Sequence, residues 1–218
     1  MITNVTSLLK TVKIVEDEHQ RGTRALEAAI DAIANDIRNF DTSEPPRRTA
    51  TPEELVRTTK PVTIATAKAV GAGTSGKQDD VITAANVGRK AISDLLTTTK
   101  QAAYASDSPD LIQKTLESGR NCALKYLQLL QMVHRAIQRP TGATASEKQA
   151  FVDMSREIAA AVTEVATAAE MLKGSDWADP DDPMVIAETE LLGAAASIDA
   201  ASQKLASLQP RRTSIKVI

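Results

Sequence analysis

Val5, Val12, His19, Leu26, Ile33 and Phe40 follow one another at seven-residue intervals, and Leu8, Val15, Ala29, Ile30 and Ile37 fall on the same side. A stripe of that period is buried only along one long helix, here residues 4–40, on the order of 55 Å if unbroken. Such a helix needs partners of similar length to cover it. Residues 16–22 are polar and end in Gly22, so the apolar face is interrupted halfway and Gly22 is the expected weak point.

The rest of the chain supplies such partners. Thr51-Pro52-Glu53-Glu54 has the form of an N-cap, a proline in the first turn and an acid three residues on, which opens a second helix. That helix carries Leu55, Val62 and Ala65, has Pro61 inside it as a kink, and is expected to stop in the glycine-rich residues 71–76. A third runs from Gln78 to about Tyr104 over Val81, Ala85, Ile92 and Leu95. A fourth, capped by Ser108-Pro109-Asp110, carries Cys122, Tyr126, Leu130 and Val133 and ends at Arg139-Pro140. Thr144 and Glu147 form a second capping box, opening a fifth helix with Phe151, Ile158, Val165, Met171 and Leu172, and Gly174 stands where a C-terminal cap belongs.

Trp177, the only tryptophan, lies in a Trp/Pro/Asp-rich linker at 175–183. A sixth helix follows at 184–210, and a tail at 211–218. No segment alternates as a strand does. The pattern predicts an all-α fold: an up-and-down antiparallel five-helix bundle over residues 1–174, followed by one additional helix. On that helix Leu191, Leu192, Ala195, Ile198, Leu205 and Leu208 form an apolar stripe. The stripe is the candidate face for a partner helix or for self-association through the last helix.

Composition limits what such a chain can do. Aromatic residues are 2% against 42% hydrophobic, so the core is built from Ala, Leu, Ile and Val, which suits closely packed helices. With 26 basic and 28 acidic side chains, no net charge draws the chain to nucleic acid. Cys122 is the only cysteine, which excludes an internal disulfide or a cysteine cluster and fits a reducing, cytoplasmic setting with a buried, inert thiol. No apolar run is long enough for a membrane span.

Nor do catalytic groups gather. His19 and His134 are the only histidines; the first reads as a packed or rim side chain, the second as a partner of a C-terminal carbonyl. The glycine-rich residues 71–76 have the composition of a phosphate loop but follow a helix, so they read as a turn. Asp79-Asp80 and the acids at 179–182 sit at helix starts, where capping explains them and calcium-loop spacing is missing. Arg47-Arg48 and Arg211-Arg212 read as solvated loop pairs. The expectation is a protein that is not an enzyme and has no cofactor or metal.

The stretches at 6–12, 21–27, 63–70 and 187–196, and above all Gly174-Ser-Asp-Trp-Ala-Asp-Pro-Asp-Asp-Pro183, resemble the C-terminal rod of the talins. The likeness is to the last rod bundle and the upstream helix of the I/LWEQ, or THATCH, actin-binding module. The resemblance implies a cytoskeletal adaptor linking integrin adhesion sites to actin, with a force-bearing helical bundle and contacts to other rod and head domains. The family continues into further helices that carry the actin face, so the resemblance implies a fragment or truncated product, with actin binding a property of the parent protein. Family rods also bind vinculin through a Leu-x-x-Ala-Ala pattern, which Leu191, Ala194, Ala195, Ile198 and Leu205 match in part and Asp199 and Ser202 depart from. The alternative from a different class is a lipid-surface-binding amphipathic bundle of the exchangeable apolipoprotein type, against which the scarcity of aromatics weighs.

Overall fold

The computed structural model describes residues 2–42, 45–139 and 141–174. They form five α-helices: α1 (Ile2–Phe40), α2 (Pro52–Ser75), α3 (Gln78–Ala103), α4 (Pro109–Ile137) and α5 (Ala145–Lys173), with no strand among the described residues. The chain separates into two units, Met1–Leu172 and Lys173–Ile218. Trp177, the expected sixth helix and its stripe of Leu191, Leu192, Ala195, Ile198, Leu205 and Leu208 lie outside the described residues, as do the side chains of Val5, Val12 and His19.

Local chemistry sets the helix ends. The Glu54 amide donates to Thr51 Oγ1 (3.2 Å) and the Thr51 amide donates to the Glu54 carboxylate (2.9 Å), satisfying two donors that the first turn would otherwise leave open. Thr144 and Glu147 repeat the exchange at α5. Ser108 is the exception: it is the N-cap of α4, but its hydroxyl makes no capping bond, and its amide instead donates to Ser106 Oγ (3.2 Å). The glycine-rich segment ends α2 later than its composition suggests. Gly71 and Gly73 stay helical, and only Gly76 turns the chain, with φ 65° in the left-handed region and its amide on the Ala72 carbonyl. Gly22 is likewise inside an unbroken α1 and buried against Gln78, so it marks a close approach of α1 to α3.

The inward faces follow the heptad spacing. Leu26, Ile33 and Phe40 on α1, and Phe151, Ile158, Val165 and Leu172 on α5, are buried at seven-residue intervals. Met171, placed on the same face by sequence, is 42% exposed; its neighbour Leu172 takes the inward position, since adjacent residues diverge by about 100° around a helix. Small residues line α3, where Ala84, Ala85, Gly88 and Ala91 are buried. With no bulk to hold neighbours off, α3 lies against α1, α2 and α4 together. Two buried threonine hydroxyls are satisfied within their own helices: Thr66 donates to the Val62 carbonyl and Thr99 to that of Leu95.

Pairs of contacts give the order along each interface. On α1 and α3, Gly22 faces Gln78, and Lys100 Nζ donates to the carbonyls of Phe40 (3.4 Å) and Thr42 (2.7 Å), so the two run the same way. On α3 and α4, Gly88 meets Tyr126 and Thr99 meets Gly119, the opposite order. On α4 and α5, Lys125 Nζ lies 2.7 Å from Glu157 and Asn121 Nδ2 lies 3.1 Å from Glu164, again opposed. On α2 and α4, Tyr126 reaches Ala65 and Val133 stands beside Gly73, so these two run together. Because Gly22 faces the first residue of α3, residues 2–21 of α1 continue past that residue by about 30 Å.

Candidate interaction surface

Built up from its residues, the described unit offers helix faces and interhelical grooves. Among the described residues no three His, Cys, Asp or Glu side chains gather as a metal site would require, and no helix is long and apolar enough to cross a membrane. Cys122 is fully buried on α4, and burial, with a smaller push from the Glu164 carboxylate, raises its thiol to about 12. At neutral pH it stays a protonated thiol, as a buried structural cysteine does.

His134 differs from its expected role. Its Nε2 stands 3.1 Å from Glu27 Oε1 across the α1–α4 interface and 3.2 Å from the Gln138 amide nitrogen, so it joins two helices and does not serve a C-terminal carbonyl. The glycine-rich segment is helix and turn, as its position after a helix implies, and Asp80 accepts a hydrogen bond from Ser75 (2.9 Å) across that turn. Arg47 and Arg48 are exposed in the loop before α2.

Two open grooves run between helices. One, of about 670 Å³, lies between α4 and α5 and is lined by Lys114, Arg120, Glu117 and Glu164 with Thr163 and Thr167. The other, of about 610 Å³, lies between α1 and α3, lined by Asp36, Asp94, Arg89 and Lys90. Both mix the two signs of charge, which gives neither a preference for an anion or a cation.

From Arg57 onward the outer face of α2 is of one sign. Arg57, Lys60, Ile64 and Lys68 are spaced three, four and four residues apart and are all exposed, Ile64 at 46%. Sequence inspection did not single them out. Apolar spacing identifies the inward face of α2, and cations on the other side look like any solvated surface. The signal available was the run from Leu55 to Gln78, which contains four cations and no acid.

Comparison with known proteins connects the unit to one family. A family model described as the Talin IBS2B domain matches residues 21–172, a span that starts where α1 meets α3 and ends with the buried face of α5. Talin-2 of Homo sapiens is 54% identical over 212 residues, 97% of this chain and 8% of that protein. Talin of Oscarella pearsei is 52% identical over 211 residues and Talin-1 of Gallus gallus 52% over 212, each covering 97% of this chain and 8% of the relative. The chain thus spans under a tenth of the length of the curated relatives it matches.

Proposed function

The chain belongs to the talin family, and on that premise we propose that it is a force-bearing rod segment of a cytoskeletal adaptor that links integrin adhesion sites to actin. The observation that carries the proposal is the order of the interhelical contacts. They support an up-and-down antiparallel bundle of five helices. With an odd number of helices, the chain enters at one end, where α1 projects past the start of α3, and leaves α5 at the other. Tension arriving through α1 therefore runs lengthwise and loads the interfaces in parallel. The core resists it with modest side chains: many of its buried positions are alanine, and each contributes less apolar area than a leucine would.

The test is to pull the chain by its two ends. Discrete, cooperative lengthening of the α1–α5 unit is the expected result, and smooth gradual extension would overturn the proposal.

The domain plan extends the same proposal: residues 1–174 as the rod bundle, 175–183 as linker, and 184–210 as the upstream helix of an I/LWEQ module. Filament binding is not expected of residues 1–218 by themselves, so this chain alone is expected to stay in the supernatant when actin filaments are pelleted. Contacts with other rod and head domains, and with vinculin, belong to the same reading. Leu191, Leu192, Ala195, Ile198, Leu205 and Leu208 are proposed to seek a partner helix. Sedimentation of the chain and of a form ending at Gly174 checks this: a larger assembly, or a more stable unit, only when the last helix is present supports it, and identical behaviour removes it.

A further inference from the structure

We infer that the outer face of α2 docks on an anionic lipid bilayer, which the helical unit meets closed, with Arg57, Lys60 and Lys68 over lipid headgroups and Ile64 inserted between them. The spacing puts all four within about 80° of arc on one side of the helix. None of the three cations has a hydrogen bond or ion pair in the described structure, whereas Arg120, Lys125, Arg139 and Arg156 are each engaged by a carboxylate. The two acids of α2, Glu53 and Glu54, sit in its first turn ahead of the stripe, and Glu54 is committed to the capping box. From Leu55 to Gln78 there is no further acid to neutralise the face.

The shape of the face selects the partner. The grooves of this unit, where a peptide would be held on two sides, lie between other helices and carry both charges. The α2 stripe is a single convex ridge, which touches a plane along its length. Ile64 is the most exposed of the large hydrophobic side chains described, and it stands between cations, where it enters the headgroup boundary as they approach phosphate. Each cation near an anionic surface strengthens partitioning by about five-fold, and three together by about a hundred-fold. The contact is weak alone and suits a protein already held near a bilayer.

The experiment is sedimentation of the full chain with phosphatidylcholine vesicles prepared with and without phosphatidylserine, at low and high salt. Wild type is expected to pellet only with the anionic vesicles, and to be released by salt. Joint Arg57→Gln, Lys60→Gln and Lys68→Gln substitution should lower partitioning by about a hundred-fold, and Ile64→Ser by several-fold, with urea midpoints unchanged because all four side chains are exposed. Arg89→Gln with Lys90→Gln, an exposed basic pair on α3, should leave binding as it was. The inference is overturned if wild type ignores phosphatidylserine or if the α3 pair matters as much as the α2 stripe. It is equally overturned if a soluble polyglutamate binds the stripe while vesicles do not, or if Cys122 becomes reactive to a thiol reagent on binding, since the unit would then have opened. None of these outcomes bears on end-to-end unfolding, so the two proposals fail separately.

Discussion

Tyr126 heads the fully buried side chains of the described unit, and it fits because Gly88 has no side chain. A Cβ at Gly88 would come within 2.8 Å of Cε1 and Cζ of the ring and closer still to the hydroxyl. The ring has little room to yield, since its hydroxyl lies 3.5 Å from the Ala65 carbonyl on the far side. Gly88→Ala gains about 1 kcal/mol of helix propensity but overpacks the α3–α4 crossing, which costs about 1–3 kcal/mol. The expected outcome is a lower urea midpoint, and a raised midpoint would show that the ring can move. The apolar pattern of α4 identified Tyr126 as an inward residue, yet Gly88 was not legible, because a close approach belongs to a pair of helices and neither sequence segment holds it alone. Cys122 makes a second prediction. Its thiol is raised from 9.0 to about 12, so the native state holds the proton more tightly than the unfolded chain does. The contribution is fully present below pH 9 and is lost between pH 9 and 12, at about 1.4 kcal/mol per pH unit. Burial raises Tyr126 as well, so the clean window lies between pH 9 and 10. Cys122→Ala should be less stable at pH 7 yet lose stability more slowly across that window, as followed by urea melts.

At the level of the element, the capping boxes test how helices α2 and α5 begin. Thr51→Ala and Thr144→Ala each remove an acceptor for an amide of the first turn, and each is expected to cost about 1 kcal/mol in urea unfolding. Ser108→Ala should cost much less, since that hydroxyl makes no capping bond. Equal losses at all three positions would refute the assignment. These boxes were legible in sequence because donor and acceptor lie within four residues and the geometry is local. The same holds for the inward face of α1 from Leu26 to Phe40. What was not legible depends on partners or on small angles. Gly71 and Gly73 look like a turn by composition, but α2 continues through them, and a Cβ at Gly73 would meet Phe151 of α5 at 2.9 Å. Met171 and Leu172 are equally apolar, and only packing decides that the second turns inward. The cationic face of α2 was hidden for the opposite reason: nothing in periodicity separates a solvated face from a docking face.

For the whole unit, the direction of load decides its strength. Pulled from α1 to the end of α5, every interface is sheared at once, and α1 cannot leave without breaking contacts with both α3 and α4, including the Arg120–Asp41 pair at 2.9 Å and the Glu27–His134 contact at 3.1 Å. The α2–α3 turn at Gly76 and the α4–α5 turn at Gly142 both lie at the end where α1 enters, since Gly22 faces Gln78 and Glu27 faces His134. Handles placed at these two turns would peel helices apart from one end, breaking contacts a few at a time. Unfolding force is therefore expected to be several-fold lower between the turns than between the chain ends, although the free energy of unfolding is the same for both. Equal forces in the two geometries would mean that the interfaces do not share the load, and the lengthwise path proposed for tension would have to be abandoned.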